Sequence, residues 1–500
     1  MTDARDWRAA LVITGIATLV RLVFAAVLPL FPDEAYYWEW SRHLANGYFD
    51  HPPAIAHLIA AGTALFGAFG AEPSPLAIRF FPVLAGGAAT YYAARIARML
   101  GGGSAARIAA TVFALMPLAA TGLVLATPDS PLLATSAGAL YFVVAAIEQP
   151  VNSRASFRFW ICAGIALGLA FTSKYTSILL PLTITAAVLI RPSLRARLRE
   201  PGPYAACIVA TLVFLPVLQW NASHDWISFR FQLAHGLGTP KGSAIKRELD
   251  LVGGQLGLVS PILFALAAAA VWRTLRRATD DVRFTLALVA VGSWVFFVYS
   301  ASRKAVEANW PAPSYIPAIA LLAALASSPA RDRWMQRGIA LAAVLVAIIY
   351  IHALLPILPL PARRDPIARS AGWGGMAARV EHARASLGGR TFAGADRYQD
   401  VSELAYHLPG RPATFCVCLS GRQNQYELWP GFAAVAHAND NLVLALDDTP
   451  GEAASVTRLA PYFSTVTRGE IAPQLRVLDT VSIRRVWLLS GYRGGWPTRP

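Results

Sequence analysis

Apolar residues run along this chain in stretches of about twenty, the length that crosses a bilayer core, and polar residues collect between them. The stretches lie near 9–30, 78–97, 106–125, 131–147, 157–172, 175–190, 204–220, 252–272, 283–300, 313–328 and 338–357. They predict eleven membrane-spanning helices. A further run, 54–70, is shorter, rich in Gly and Ala, and follows Pro52-Pro53. An amphipathic or re-entrant segment accounts for it as well as a span does. No small-residue cleavage site follows the first run, so it reads as an uncleaved span.

Arginines decide between the two topologies. With 54–70 kept on one side, alternate loops gather Arg5 and Arg8, Arg98 and Arg107, Arg154 and Arg158, then Arg191, Arg195, Arg197 and Arg199. Arg273, Arg276, Arg277 and Arg283 follow, then Arg331, Arg333 and Arg337. All fall on one side, which the positive-inside rule makes cytoplasmic. The N-terminus is then inside and the tail outside. The expected architecture is a polytopic α-helical membrane protein over 1–360, followed by a small extracytoplasmic α/β domain over 361–500. In that tail, strand-like runs at Thr414–Leu419, Asn441–Leu446 and Val481–Leu489 alternate with turns and a short helix near Asp400–His407.

Composition agrees with the pattern. Of 500 residues, 55% are hydrophobic and 15% charged, against about a quarter charged in soluble domains. The net charge of +15 would suggest nucleic acid in a soluble protein. Here the arginines sit in short loops between spans, so the charge reads as membrane orientation and no nucleic-acid partner is expected. Four cysteines do not make a disulfide framework. At i and i+2 on a strand, Cys416 and Cys418 would share a face at an awkward spacing for a mutual bond, so two packed thiols are expected.

The chemistry-bearing side chains concentrate on the outer side. The first outer loop, 31–53, carries Asp33, Glu34, Glu39, His43, Asp50 and His51 among Tyr36, Tyr37, Trp38 and Trp40. Asp129 stands at the mouth of a span in ATPDSP (126–131), and Lys174 interrupts the apolar hairpin FTSKYT (171–176). The fourth outer loop holds His224, Asp225, Arg230, His235, Lys241, Lys246 and Arg247; the fifth holds Arg303, Lys304, Glu307 and Asn309. Interfacial aromatic belts and snorkelling lysines explain many such residues. Lys174 resists that reading, because an ammonium in so short an apolar loop is costly without an anion. Asp129 is either a helix cap or a functional carboxylate. Carboxylates can serve as a general base, and cations can stabilise a departing phosphate. No phosphate-cradling glycine loop and no zinc-type spacing is present. His51, His224 and His235 read as loop histidines before metal ligands, so no obligatory cofactor is expected and a divalent metal is not indicated.

The segments DEAYYWEWSRHLANGYFDHPP (33–53), TPDSPL (127–132), TSKYT (172–176), EANWPAPSY (307–315) and RQNQYELWPG (422–431) carry a resemblance. The chain resembles the family 39-like membrane glycosyltransferases of the C-type (GT-C) fold. That group includes protein O-mannosyltransferases and bacterial enzymes that add aminoarabinose or galacturonic acid to lipid A and core.

The resemblance implies inverting-type transfer from a polyprenyl-phosphate sugar to an extracytoplasmic acceptor, whether lipid A or lipopolysaccharide, another glycan or a protein. Asp33 would be the general base, with Glu34 supporting it. Lys174 would face the donor phosphate, with Arg303 and Lys304 as further phosphate ligands. Asp129 would be a second acidic position shaping the site, and Tyr37, His51, Glu307 and Asn309 would line the donor and acceptor site. Arg422, Asn424 and Tyr426 would form a lid, or an ordinary turn. The expected location is a bacterial inner membrane, with membrane lipids as surroundings. Aminoarabinose-type relatives carry Glu-Lys-Pro where this chain has Asp50-His51-Pro52, a departure bearing on substrate and on any metal contact. The alternative from another class is a transporter or flippase of a lipid-linked sugar, disfavoured because the charges cluster at one membrane face and no inverted repeat shows. A non-catalytic envelope-assembly subunit is a third reading.

Overall fold

The computed structural model describes residues 2–240, 242–277, 280–325, 329–419, 421–477 and 479–498; Lys241 of the fourth loop lies outside them. The chain divides into two compact units. Unit 1 comprises Met1–Val27 and Leu44–Leu355; unit 2 comprises Leu28–His43 and Pro356–Pro500.

Unit 1 is helical: α1 (Thr2–Val27), then α3 (Ala54–Gly67), α4 (Pro75–Leu115), α5 (Pro117–Gly122), α6 (Asp129–Glu148), α7 (Arg154–Phe171) and α8 (Leu179–Ile190). It continues through α9 (Pro201–Ser223), α10 (Ile227–Leu237), α11 (Ala244–Val259), α12 (Pro261–Arg277), α13 (Asp281–Arg303), α14 (Tyr315–Leu325) and α15 (Pro329–Leu354). Helix α2 (Pro32–Arg42) belongs to unit 2.

Among the described residues, each apolar run read from the sequence lies mainly on one or two of these helices. Among the described residues, six helices are long and apolar enough to cross a membrane, or eight if each bent pair is one span. Two expectations of straight spans are corrected. The run 252–272 is broken into α11 and α12, bent by 104°, because Ser260 takes φ +73° and Pro261 lacks the N–H that would continue the ladder. The run 78–97 and the first half of 106–125 share α4, whose axis breaks at Gly101-Gly102, where Gly102 takes φ +69°, a backbone state that glycine adopts without a Cβ clash; the rest of 106–125 continues past extended Met116 into the separate helix α5. The ambiguous 54–70 segment is α3, 14 residues long, about 21 Å at 1.5 Å per residue and shorter than the roughly 30 Å hydrocarbon core.

Burial separates central from peripheral helices. The apolar window of α6 is 89% buried, whereas those of α1, α9 and α15 are 17–22% buried. A helix apolar all round belongs inside, and in α14 every residue from Tyr315 to Ala323 is buried. Small residues allow close approach, as in membrane bundles: a Cβ added to Gly164 on α7 would lie 2.6 Å from the Ala206 carbonyl oxygen of α9.

Unit 2 is built on a five-stranded sheet of order β2-β1-β3-β5-β4, with β1 (Thr391–Ala395), β2 (Thr414–Cys416), β3 (Asn441–Asp447), β4 (Phe463–Arg476) and β5 (Asp479–Tyr492). β1 runs parallel to β2 and β3, while β5 is antiparallel to β3 and β4. Six consecutive residues of β3 are buried, as a strand covered on both faces requires. Helices α16 (Trp373–Leu387) and α17 (Tyr398–His407) pack on the sheet. Arg484 on β5 makes a two-pronged contact with Asp400 at 2.8 and 3.1 Å and a further ion pair with Asp447 at 2.9 Å, fixing the start of α17. Cys416 and Cys418 are disulfide-bonded, with Cα atoms 5.2 Å apart, which corrects the expectation of two thiols. The strand ends at Cys416 and Cys418 takes φ +54°, so the chain turns back where an extended strand would hold the two residues farther apart.

Candidate active site

In unit 2, α2 begins with Pro32, pre-set for the first helical turn, and the acidic pair follows at once. The two carboxylates take different environments. Glu34 is fully buried, and its Oε2 accepts the Phe31 backbone N–H at 3.0 Å, closing the helix start. Asp33 is exposed, and its Oδ1 accepts the Tyr398 hydroxyl at 3.3 Å.

Tyr398 is held from several directions. Its ring lies 4.4 Å from that of Tyr36, and the Arg422 guanidinium sits 4.6 Å over it, a cation–π arrangement. The Tyr36 hydroxyl in turn accepts the Gln425 N–H at 2.7 Å. Tyr37 packs edge-on to Trp40 at 4.9 Å. Behind this surface, Glu39 is buried against Arg42 at 2.6 Å. Burial pushes the Glu39 carboxyl up, and Arg42 opposes the shift. Burial also raises the Tyr426 phenol well above its ordinary value, with Glu39 adding to the shift. Asn424 caps the short turn Gln425–Glu427 by accepting the Tyr426 N–H at 3.0 Å. The 422–426 segment is thus an ordered turn that also contacts the Asp33 cluster.

In unit 1, three residues expected in the site come together. Lys174 Nζ lies 2.8 Å from Asp129 Oδ1, and Asn309 Nδ2 donates to Asp129 Oδ2 at 2.6 Å. The Trp310 ring centroid is 5.9 Å from the ammonium. Asp129 makes no side-chain cap, although it sits in the first turn of α6; its carboxylate faces the lysine and the amide. The exposure of Lys174 is 7%, and an ammonium so placed needs this anion. Asp129 uses one of the three ammonium donors.

The other expected residues lie elsewhere in unit 1. Arg303 Nε donates to the Leu237 carbonyl at 3.2 Å, at the end of α10. Glu307 is exposed and Lys304 half-buried. Among the described residues no hydrogen bond joins these three to the Asp129 cluster. His51 Nδ1 is 3.4 Å from Gln232 Nε2. His235 stacks on Phe231 at 5.5 Å and lies tilted against Trp310 at 5.5 Å, and His224 stacks on Trp220. Among the described residues no three His, Cys, Asp or Glu side chains group as metal ligands.

Sequence reasoning missed Tyr398, which lies 365 positions from Asp33 with no local motif around it. It also missed Arg79, fully buried and donating to the Ala25 carbonyl at 3.1 Å. An arginine five residues into an apolar helix was a signal for it.

Comparison with known proteins places relatives around this geometry. A family model described as dolichyl-phosphate-mannose-protein mannosyltransferase matches residues 50–220. The lipid A galacturonosyltransferase RgtD of Rhizobium johnstonii is 29% identical over 289 residues, which is 57% of this chain and 58% of that protein. The chain therefore matches little more than half the length of that relative. The crystal structure of ArnT from Cupriavidus metallidurans bound to undecaprenyl phosphate superimposes with a TM-score of 0.67 at 17% identity, covering 95% of this chain and 97% of that one. The mycobacterial arabinofuranosyltransferase AftD gives a TM-score of 0.51 at 14% identity, over 97% of this chain and 40% of that one.

Proposed function

We propose that this chain, which has the fold of the GT-C membrane glycosyltransferases and so bears out the resemblance read from its sequence, transfers a sugar from a polyprenyl-phosphate donor to an extracytoplasmic acceptor. The observation that carries the reading is Asp33: an exposed carboxylate held by the Tyr398 hydroxyl beside aromatic faces on which a sugar can stack. RgtD, named for galacturonosyl transfer to lipid A, and ArnT, solved with undecaprenyl phosphate, support a lipid-linked donor and a glycolipid acceptor.

In the proposed step, the acceptor hydroxyl gives its proton to Asp33 as its oxygen forms a bond to the anomeric carbon. The bond from that carbon to the phosphate oxygen breaks, its electron pair leaves on the polyprenyl phosphate, and the anomeric centre inverts. Lys174 offsets the charge developing on the phosphate, with Arg303 and Lys304 as further cations. Asp129 and Asn309 orient Lys174. Tyr37, His51 and Glu307 line the donor and acceptor site, and Glu34 holds the start of the helix that carries Asp33.

The topology proposed with this function has eleven spans across a bacterial inner membrane, the N-terminus in the cytoplasm and residues 361–500 outside. That placement suits the donor, because a sugar used on the outer side must arrive on a lipid carrier.

The test is transfer of label from polyprenyl-phosphate sugars to an envelope glycolipid extract by purified protein in detergent. Asp33→Asn, inserted and folded, is expected to lose nearly all turnover, about 10²–10⁴-fold for a general base. Near-normal turnover in that variant would remove Asp33 from the mechanism.

A further inference from the structure

At the arginine-rich end of unit 1, between the starts of α7 and α9, lies a cavity of about 320 Å³. Ser153, Arg154, Phe157, Arg158, Glu200 and Gly202 are among its lining residues. The proposed transfer uses none of them.

The charges here do not cancel. Glu200 is buried; its Oε1 is held by Arg197 at 2.6 Å and its Oε2 accepts the Ser156 hydroxyl at 2.8 Å. Arg197 also donates to the Ile147 and Gln149 carbonyls, both at 2.6 Å, satisfying carbonyls at the end of α6. That knot neutralises Glu200. Arg154 and Arg158 are left one helical turn apart, both exposed and without a hydrogen bond or ion pair among the described residues. Like charges at i and i+4 destabilise a helix, and an anion between them would reverse the sign.

The surroundings are those of a lipid. Phe157 contributes an apolar wall. Trp160, whose ring packs on Gly202, has a buried indole N–H with no hydrogen-bond partner among the described residues. Along α9, Tyr204, Ile208 and Leu212 are all exposed at i, i+4 and i+8, an apolar stripe of about 12 Å leading away from the cavity.

We propose that this cavity seats the phosphate of an anionic membrane lipid between Arg154 and Arg158, with its acyl chains along the α9 stripe. A basic pocket between membrane helices suits such a headgroup. The stripe distinguishes a lipid from a free phosphate ion.

The experiment is native mass spectrometry of the full-length protein in neutral detergent, titrated separately with phosphatidylglycerol, phosphatidylcholine and inorganic phosphate. Phosphatidylglycerol is expected to bind more tightly than the other two. Arg154→Ala/Arg158→Ala is expected to weaken it roughly 30-fold, and the control pair Arg273→Ala/Arg276→Ala less than about twofold. Equal losses in the two pairs, equal affinity for the two lipids, or equal affinity for inorganic phosphate would each overturn the site. A second measurement needs no arginine variant. Brominated phosphatidylglycerol is expected to quench tryptophan emission more than brominated phosphatidylcholine, with the excess abolished in Trp160→Phe. An excess that survives in Trp160→Phe also overturns it.

Discussion

Removing the Asp129 carboxylate strands a buried ammonium. Lys174 is 7% exposed, and Asp129 lies 2.8 Å from its nitrogen. At an effective dielectric near 20, two unit charges at that distance attract by roughly 6 kcal/mol, most of which offsets the desolvation of both groups. Breaking such a pair from one side costs about 3–5 kcal/mol. Asp129→Leu pays that cost and also deprives the Asn309 amide of its acceptor, a further loss of about 1 kcal/mol. Lys174→Met is milder, about 3 kcal/mol, because Asn309 still donates to the carboxylate. Replacing both partners by apolar side chains leaves no orphaned charge, so Asp129→Leu/Lys174→Met is expected to be more stable than the sum of the singles by about 2–3 kcal/mol. The assay is denaturant unfolding of purified protein in detergent, followed by tryptophan fluorescence, for all four members of the cycle. Additivity within about 0.5 kcal/mol would refute the buried, coupled pair. The same double variant separates stability from catalysis: under the proposed function it folds but turns over more slowly even at saturating lipid-linked donor, because the cation that meets the developing phosphate charge is gone.

Tyr398→Phe deletes one hydrogen bond to Asp33, and at 3.3 Å its loss is worth about 1 kcal/mol, or roughly fivefold in kcat; an unchanged kcat in the transfer assay would show that Tyr398 does not position Asp33. Burial, with Arg411 adding to it, lowers His407 to about 4, although Glu403 Oε2 lies 3.3 Å from its ring. Because the folded value is below the unfolded one near 6.5, protonation favours the unfolded chain. Stability is full above pH 6.5 and falls by roughly 3 kcal/mol as the pH drops to 4; thermal unfolding across that range should flatten in His407→Gln. Cys416→Ser/Cys418→Ser opens a loop of only a few residues, so the loss is expected to be about 1–2 kcal/mol, read as a small drop in midpoint.

Some of this was legible because its signal is local. A span announces itself by twenty apolar residues, and Lys174 stood out because nothing beside it in sequence solvates its charge. Asp129 was ambiguous, since Thr-Pro-Asp before a helix is also a capping sequence; only the 2.8 Å approach of Lys174 decides what its carboxylate faces. The 104° bend at Ser260-Pro261 was passed over because apolarity runs straight through it, although the proline was a visible warning. In the tail, β3 with its unbroken apolar run was readable. β1 (TFAGA) is too short to signal, and β4 (FSTVTRGEIAPQLR) carries the polar residues and proline of an edge strand. Tyr398 was invisible for a different reason: its partner is 365 positions away, a distance over which a single sequence without homologues carries no pairing information.

The composition of unit 2 has a consequence for biogenesis. Residues 28–43 emerge from the ribosome long before the rest of unit 2, yet Tyr36 and Trp38 are buried in part against Tyr398, Tyr406 and Tyr426, which are synthesised more than 350 residues later. At about 5–20 residues per second, this aromatic segment waits tens of seconds for its cover. A nascent chain stalled before residue 398 would present it to chaperones and proteases. A fragment beginning at residue 356 would lack it, leaving the complementary face of α17 bare and prone to self-association.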